Sequence, residues 1–267
     1  MLRSPAVAGQ FYPGSPHELA SVVDSFLDKE ATPRPAIAAI CPHAGYVYSG
    51  RVAAQVLSRV EIPRRVVVLG PNHRGVGADA AVMSQGQWET PLGRVDLDPE
   101  LGGILTRGGG LFLEDASAHR HEHSLEVQVP FLQALRPDFL LTPICLGQLD
   151  WPSCRELGRE LARAVAGLGE PVLLVVSTDM THYESAEMAE KKDRRAIERI
   201  LALDPQGLYE TVMGLRISMC GVLPTTVALV AARELGASRA ELVAYTNSGV
   251  TTGDYRQVVG YAGLIID

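Results

Sequence analysis

Cys41-Pro42-His43-Ala44-Gly45-Tyr46-Val47-Tyr48-Ser49-Gly50 is the stretch on which the fold turns. The apolar run Ala36 to Ile40 enters it, and a helical pattern, Arg51 to Val60, leaves it. A short apolar run handed directly to a helix reads as the start of a strand–helix–strand unit, so His43 is expected just past the carboxyl end of a buried strand. Open α/β sheets hold their ligands at that end. Two further apolar runs finish in the same way. Val66 to Leu69 runs into Gly70-Pro71-Asn72-His73, and Val172 to Val176 runs into Ser177-Thr178-Asp179-Met180-Thr181-His182.

Working outward, Ser15-Pro16-His17-Glu18 opens a helix, with Ser15 as cap and Pro16 in the first turn. His17 is read as solvent-facing. Strand Arg65–Leu69 closes a parallel crossover with the first strand. A strand follows at Ala80–Ser84, then a hairpin over Trp88–Val95 and a helix at Pro99–Arg107 that Gly108-Gly109-Gly110 breaks. His119, His121 and His123 alternate, so an extended segment would place them on one side. Ser124 is expected to cap the next helix, with Glu126 in its first turn. Strand Phe139–Leu146 comes next, then a helix Cys154–Leu168 behind a Ser153/Glu156 capping box. Helices at Glu184–Leu203, Pro205–Met213 and Thr225–Leu235, and strands at Leu242–Thr246 and Gln257–Ile266, complete the chain. The fold class is α/β: one domain over residues 1–267, a mixed, mostly parallel sheet flanked by helices.

Composition narrows the function. Hydrophobic residues make up 46% of 267, enough for a sizeable core, and the formal charge is −7. That balance argues against a nucleic-acid binder and against a polybasic membrane anchor. No run approaches the ~18 apolar residues of a spanning helix, and the first residues lack a signal-peptide core. The four cysteines, Cys41, Cys145, Cys154 and Cys220, form no C-x-x-C pair. A reducing cytoplasm is the expected setting, with the thiols free to act as ligands.

Two kinds of chemistry suit these residues. Neutral imidazole is the commonest metal ligand, and His43 and His73, on strand exits, are placed to converge. Asp179 and Cys220 both remain open as the third ligand. A carboxylate would give the arrangement of non-heme iron oxygenases, and a thiolate would favour softer metals. Alternatively Ser177, Asp179, His182 and His123 offer acid–base or nucleophilic groups. No G-x-S-x-G supports a serine hydrolase, and no complete glycine-rich phosphate loop appears. Tyr46 and Tyr48 flank the site and are read first as packing residues.

Taken together, several motifs carry a family resemblance: Pro5 to Pro13, Pro42 to Gly50, Gly70-Pro71-Asn72-His73, Glu122-His123-Ser124-Leu125-Glu126, Ser177-Thr178-Asp179 with His182, and Cys220-Gly221. In that order, from Pro5 to about Gly263, they resemble the Memo family, whose bacterial and archaeal members are called AmmeMemoRadiSam system protein B. The resemblance implies a fold similar to class III extradiol dioxygenases, the LigB-like non-heme iron enzymes. It implies His43, His73 and Cys220 as metal ligands, Cys220 replacing the dioxygenase glutamate, with His123, His182 and Asp179 as catalytic pocket groups. Fe(II) is the metal expected first, with copper or zinc as alternatives. The function implied is a redox enzyme acting on a small substrate, aromatic compounds included. A scaffold using the cleft for a peptide or protein, and a zinc hydrolase, are the competing expectations. The family name further implies a link to AMMECR-type and radical SAM proteins.

Overall fold

The structure, a computed structural model, describes residues 1–107 and 109–267. The chain begins with β1 (Leu2–Arg3), α1 (Pro16–Phe26), β2 (Ala38–Cys41), α2 (Tyr46–Leu57), β3 (Arg65–Pro71) and β4 (Ala80–Val82). The hairpin β5 (Gln87–Thr90) and β6 (Gly93–Asp96) leads to α3 (Pro99–Arg107), β7 (Leu113–Glu114), α4 (Val129–Leu135) and β8 (Leu140–Leu146). Then come α5 (Trp151–Leu168), β9 (Val172–Ser177), β10 (His182–Glu184), α6 (Ala186–Leu201) and α7 (Pro205–Gly214). The chain closes with α8 (Val222–Glu234), β11 (Ala240–Asn247), α9 (Gly249–Thr252) and β12 (Val258–Ile266).

Among the described residues nine strands form the main sheet in the order β10-β12-β2-β9-β3-β8-β4-β7, with β11 on β12. Its centre is parallel: β2 on β9, β9 on β3, β3 on β8. The flanks turn antiparallel, β12 on β2 and β4 on β8. The result is the expected mixed α/β sheet, but not a mostly parallel one: β10 and β11 also join β12 antiparallel, so parallel and antiparallel pairings are equal in number. A second detail differs: β2 and β3 are parallel but not adjacent, because β9 inserts between them.

The central strands are covered on both faces, which is why they read as continuous apolar runs rather than alternating ones. Ala38, Ile40, Val67, Leu69, Leu174 and Val176 face one core, under α5, α6 and α8. Ala39, Cys41, Val66, Val68, Leu173 and Val175 face the other, under α1, α2 and α4. Each fully buried Ile, Leu or Val contributes about 1.5–3 kcal/mol of transfer free energy. Register then aligns the strand exits. Cys41 pairs with Ser177, and Pro71 pairs with Leu146, so the chains leaving β2, β9, β3 and β8 emerge along one edge.

Several boundaries depart from the sequence pattern for identifiable reasons. Helix α2 starts at Tyr46 rather than Arg51. Gly50, which looks like a turn residue, lies inside it: a Cβ there would stand 2.7 Å from Phe26 Cε2, so the glycine lets α1 pack closely. Helix α5 starts at Trp151, capped by Asp150, which accepts the Ser153 amide at 2.9 Å, not by a Ser153/Glu156 box. Helix α8 starts at Val222, with Pro224 tolerated in its first turn. Ser15 does cap α1. Helix α3 ends at Arg107 as expected; Gly108, the first of the three glycines expected to break it, lies outside the described residues. Among the described residues no helix is long and apolar enough to cross a membrane.

Candidate metal centre

His43 follows β2, His73 follows β3, and His123 sits in the turn leading to a short 3-10 segment, Glu126–Gln128. The ring nitrogens these three histidines offer lie within 4.8 Å of one another. The rings of His73 and His123 stack at 4.7 Å, and that of His43 stands edge-on to both, at 5.2 and 5.5 Å. His43 is 2% exposed.

Hydrogen bonds fix which nitrogen each ring presents. Ser177 Oγ donates to Ser124 O at 2.6 Å and accepts from Gln128 Nε2 at 3.0 Å. Its one proton is therefore used, and it meets His43 Nδ1 at 3.0 Å as an acceptor. His43 is thus the Nδ1–H tautomer, with its Nε2 lone pair free. His73 Nδ1 donates to Glu122 Oε1 at 2.9 Å, and His123 Nδ1 lies 3.3 Å from the same oxygen. Nε2 of His73 is thereby turned toward the cluster and Nε2 of His43 toward the Cys220 thiol, the carboxylate–histidine arrangement that orients metal-binding imidazoles.

Glu122 organises the cluster. Besides the two rings it accepts the amides of His73 at 2.7 Å, His123 at 2.9 Å and Ser124 at 2.8 Å. Burial pushes its carboxyl up, but the His73 contact and the Ser124 amide outweigh that and hold its pKa down at about 2. Burial pushes His43 well below the usual imidazole range, with the charges of His73 and His123 adding to it. Burial also brings His123 down to about 4, against the pull of Glu122. These rings are therefore neutral at pH 7, the form that binds metals.

Cys220 joins from the loop before α8, its Sγ 3.2 Å from His43 Nε2 and accepting the Asp179 amide at 3.2 Å. Burial raises its thiol pKa, with Asp179 adding to the rise. The three imidazoles could hold a divalent cation; the group whose ligand atoms all lie within 4.8 Å of one another takes in His123, expected as a catalytic group, and does not include Cys220, expected as the third ligand. Asp179 acts on backbone: its Oδ1 accepts the His43 amide at 2.7 Å, which pins the β2 exit to the β9 exit. Burial raises its carboxyl pKa. His182 stands apart from the three, its Nδ1 donating to Ser218 O at 2.9 Å, yet near enough for its charge to act on His43 and Asp179. His73 and Cys220 line a cleft of about 390 Å³ whose walls include Asn72, Asp79, Gln148 and Leu223.

The histidine alternation misleads. Residues 119 to 121 form a turn and 122 to 123 are irregular, not a strand, so His119 is fully buried against Trp88, His121 is exposed and, of the three, His123 reaches the site. Ser124 does not cap a helix; its hydroxyl donates to Pro71 O at 3.1 Å. Glu126 does stand in the first turn, at the start of the 3-10 segment, and is buried there. The sequence reading passed over Glu122 and Gln128 as functional groups. The signal for Glu122 was its place directly before His123, since a carboxylate next to a ligand-type histidine has a ready role in orienting it. Tyr46 is buried, its hydroxyl donating to Val127 O at 2.7 Å, whereas Tyr48 is exposed.

The class that this sheet edge and histidine cluster define is an α/β protein with a candidate three-histidine metal centre. Comparison with known proteins is specific. The Memo-like protein family matches residues 3–265. A MEMO1 family protein of Methanopyrus kandleri is 44% identical, covering 99% of both chains. Another from Methanosarcina barkeri is 45% identical over the whole of both chains. One from Aquifex aeolicus is 44% identical, covering 99% of this chain and 98% of its own. Among solved structures, an uncharacterized protein JW3007 from Escherichia coli K12 aligns with a TM-score of 0.49 and 16% identity, over 84% of this chain and 98% of that one. The chain belongs to the Memo-like protein family.

Proposed function

We propose that this chain is a metal-dependent redox enzyme acting on a small molecule in the cleft beside His73 and Cys220. His43, His73 and His123 hold a divalent metal, and Cys220 joins them as a thiolate. Iron is the metal proposed first, with copper or zinc as alternatives. The observation that carries the reading is the convergence of three imidazoles, with Nδ1 of His43 held by Ser177, Nδ1 of His73 held by Glu122, and Nδ1 of His123 beside the same carboxylate.

Bound there, iron or copper would supply Lewis-acid and one-electron chemistry. The residues do the rest. Glu122 and Ser177 hold the ligand rings in one tautomer, and Asp179 holds the His43 backbone. His182 keeps its Nε2 free and serves as the acid–base group toward a substrate. Buried Pro71 and Pro224, with half-buried Leu223, supply the apolar part of the cleft lining.

The test is the metal content of protein purified anaerobically, beside a His43→Ala/His73→Ala double variant. Near-stoichiometric iron or copper that the variant loses supports the redox reading. Zinc redirects it to hydrolysis. No metal after attempted reloading refutes it.

A further inference from the structure

We infer that the N-terminal arm, Arg3 to Tyr12, is a strap that sets the orientation of His123 and Glu122, with Arg3 and Phe11 as its positioning residues. The inference goes beyond the proposed reaction but rests on His123 belonging to the site.

The strap is anchored first. Arg3 pairs with Trp88 across β1 and β5, and the neighbouring pair is Leu2 with Gln87. Gly86, at φ +112°, permits the approach, because a Cβ there would lie 2.1 Å from Met1 O. So held, Arg3 is 5% exposed, its guanidinium 4.1 Å over the Trp88 ring. Its planar head then reaches three points of one loop. Nε donates to His119 O at 2.6 Å, Nη2 donates to Glu122 O at 2.7 Å, and Nη1 lies 2.8 Å from Glu126 Oε2. The two carbonyls bracket the turn that ends in Glu122 and His123. A fixed fork of donors holds such a turn better than a single ammonium would.

Glu126 returns the grip. Fully buried, it accepts the amides of Ala6 at 2.7 Å and Val7 at 3.1 Å and the Tyr12 hydroxyl at 2.5 Å. Phe11 then lies with its ring 4.7 Å from His123, and its carbonyl accepts the Tyr46 amide at 2.7 Å. The arm therefore touches the loop of His123 and the loop that follows His43. One face of His123 meets His73, and Phe11 backs the ring from the arm. A ligand nitrogen must be held to within roughly 0.5 Å, and the arm fixes from outside a loop that Glu122 and Ser124 tie to the β3 exit from within.

The experiment compares Arg3→Met and Phe11→Leu with Arg65→Met. Arg65 is an equally buried arginine paired with Asp98 at the opposite end of β3 from His73, so it matches the stability cost without touching the site. Imidazole ¹⁵N spectra of the metal-free protein read the His123 tautomer and environment. The arm variants are expected to shift the His123 signals and lower its Nδ1–H fraction, and Arg65→Met is expected to leave them in place. Cobalt(II) titration should then show affinity falling about tenfold or more in Arg3→Met. Unchanged His123 spectra in the folded arm variants, or an equal shift in Arg65→Met, overturn the strap. If Arg3→Met does not fold, Phe11→Leu decides. If the wild type takes up no cobalt, the metal reading fails on its own, and the imidazole spectra still decide the strap.

Discussion

Cys220 Sγ lies 3.2 Å from His43 Nε2, the one ring nitrogen of His43 that the protein leaves without a proton. Two acceptors face the thiol proton, His43 Nε2 and, at 3.5 Å, the Asp179 carbonyl. Burial and the charge of Asp179 raise the thiol pKa, so Cys220 enters the site protonated at neutral pH. Metal uptake must displace that proton. Wild-type protein is expected to release about one more proton per metal bound than Cys220→Ser. Titration calorimetry in buffers of differing ionisation heat measures this. Equal release from both proteins would remove Cys220 from the ligand set.

Glu122→Gln keeps the side chain's shape but turns an acceptor of five contacts into a group with one acceptor oxygen. The amide nitrogen would face N–H donors of His73, His123 or Ser124. Metal affinity should drop by about 10–100-fold, as is usual when a carboxylate behind a ligating histidine is lost. Competition with a chromophoric chelator reads the change.

Gly221→Ala probes the link between Cys220 and β9. A Cβ at Gly221 would stand 2.4 Å from Thr178 Cβ and 2.6 Å from Ser177 O, backbone that the sheet does not let move. Overpacking of this kind costs about 1–3 kcal/mol, and relief must come from the Cys220 loop. The expected outcome is a lowered Tm together with a weakened thiolate-to-cobalt charge-transfer band. A lowered Tm with an unaltered band would show that the loop does not move.

His119 makes stability pH-dependent. Burial, reinforced by the Arg3 charge, lowers its pKa from 6.5 to about 3, against the pull of the Ala81 backbone. The unfolded chain binds this proton more readily than the folded one. The stability owed to neutral His119 is therefore complete above pH 6.5 and is lost as pH falls toward 3. The loss approaches about 1.4 kcal/mol per pH unit. His119→Phe should flatten the fall of Tm between those values without abolishing it, since His43 and His123 are also held low. An unchanged slope would mean that His119 is hydrated in solution.

The central strands could be read from the chain because burial on both faces leaves uninterrupted apolar runs, such as Val66 to Leu69 and Val172 to Val176. The placement of His43 and His73 followed, since a strand exit in a parallel sheet has a known direction. Long-range pairing did not follow. That β9 divides β2 from β3 depends on registers between residues far apart in sequence. The roles of Glu122, Gln128 and Arg3 were hidden for a similar reason. Each is a polar residue whose burial is decided by its neighbours in space, and local periodicity carries no trace of that.

The insertion of β9 between β2 and β3 also governs how the chain must be made. Both hydrogen-bonded neighbours of β2, β9 and β12, come from the later part of the chain. A ribosome that has released residues as far as β8 has exposed an apolar strand with neither edge covered. Non-local pairing of this sort slows folding and leaves sticky intermediates, so this chain should depend on chaperones during synthesis more than a helical protein of its size.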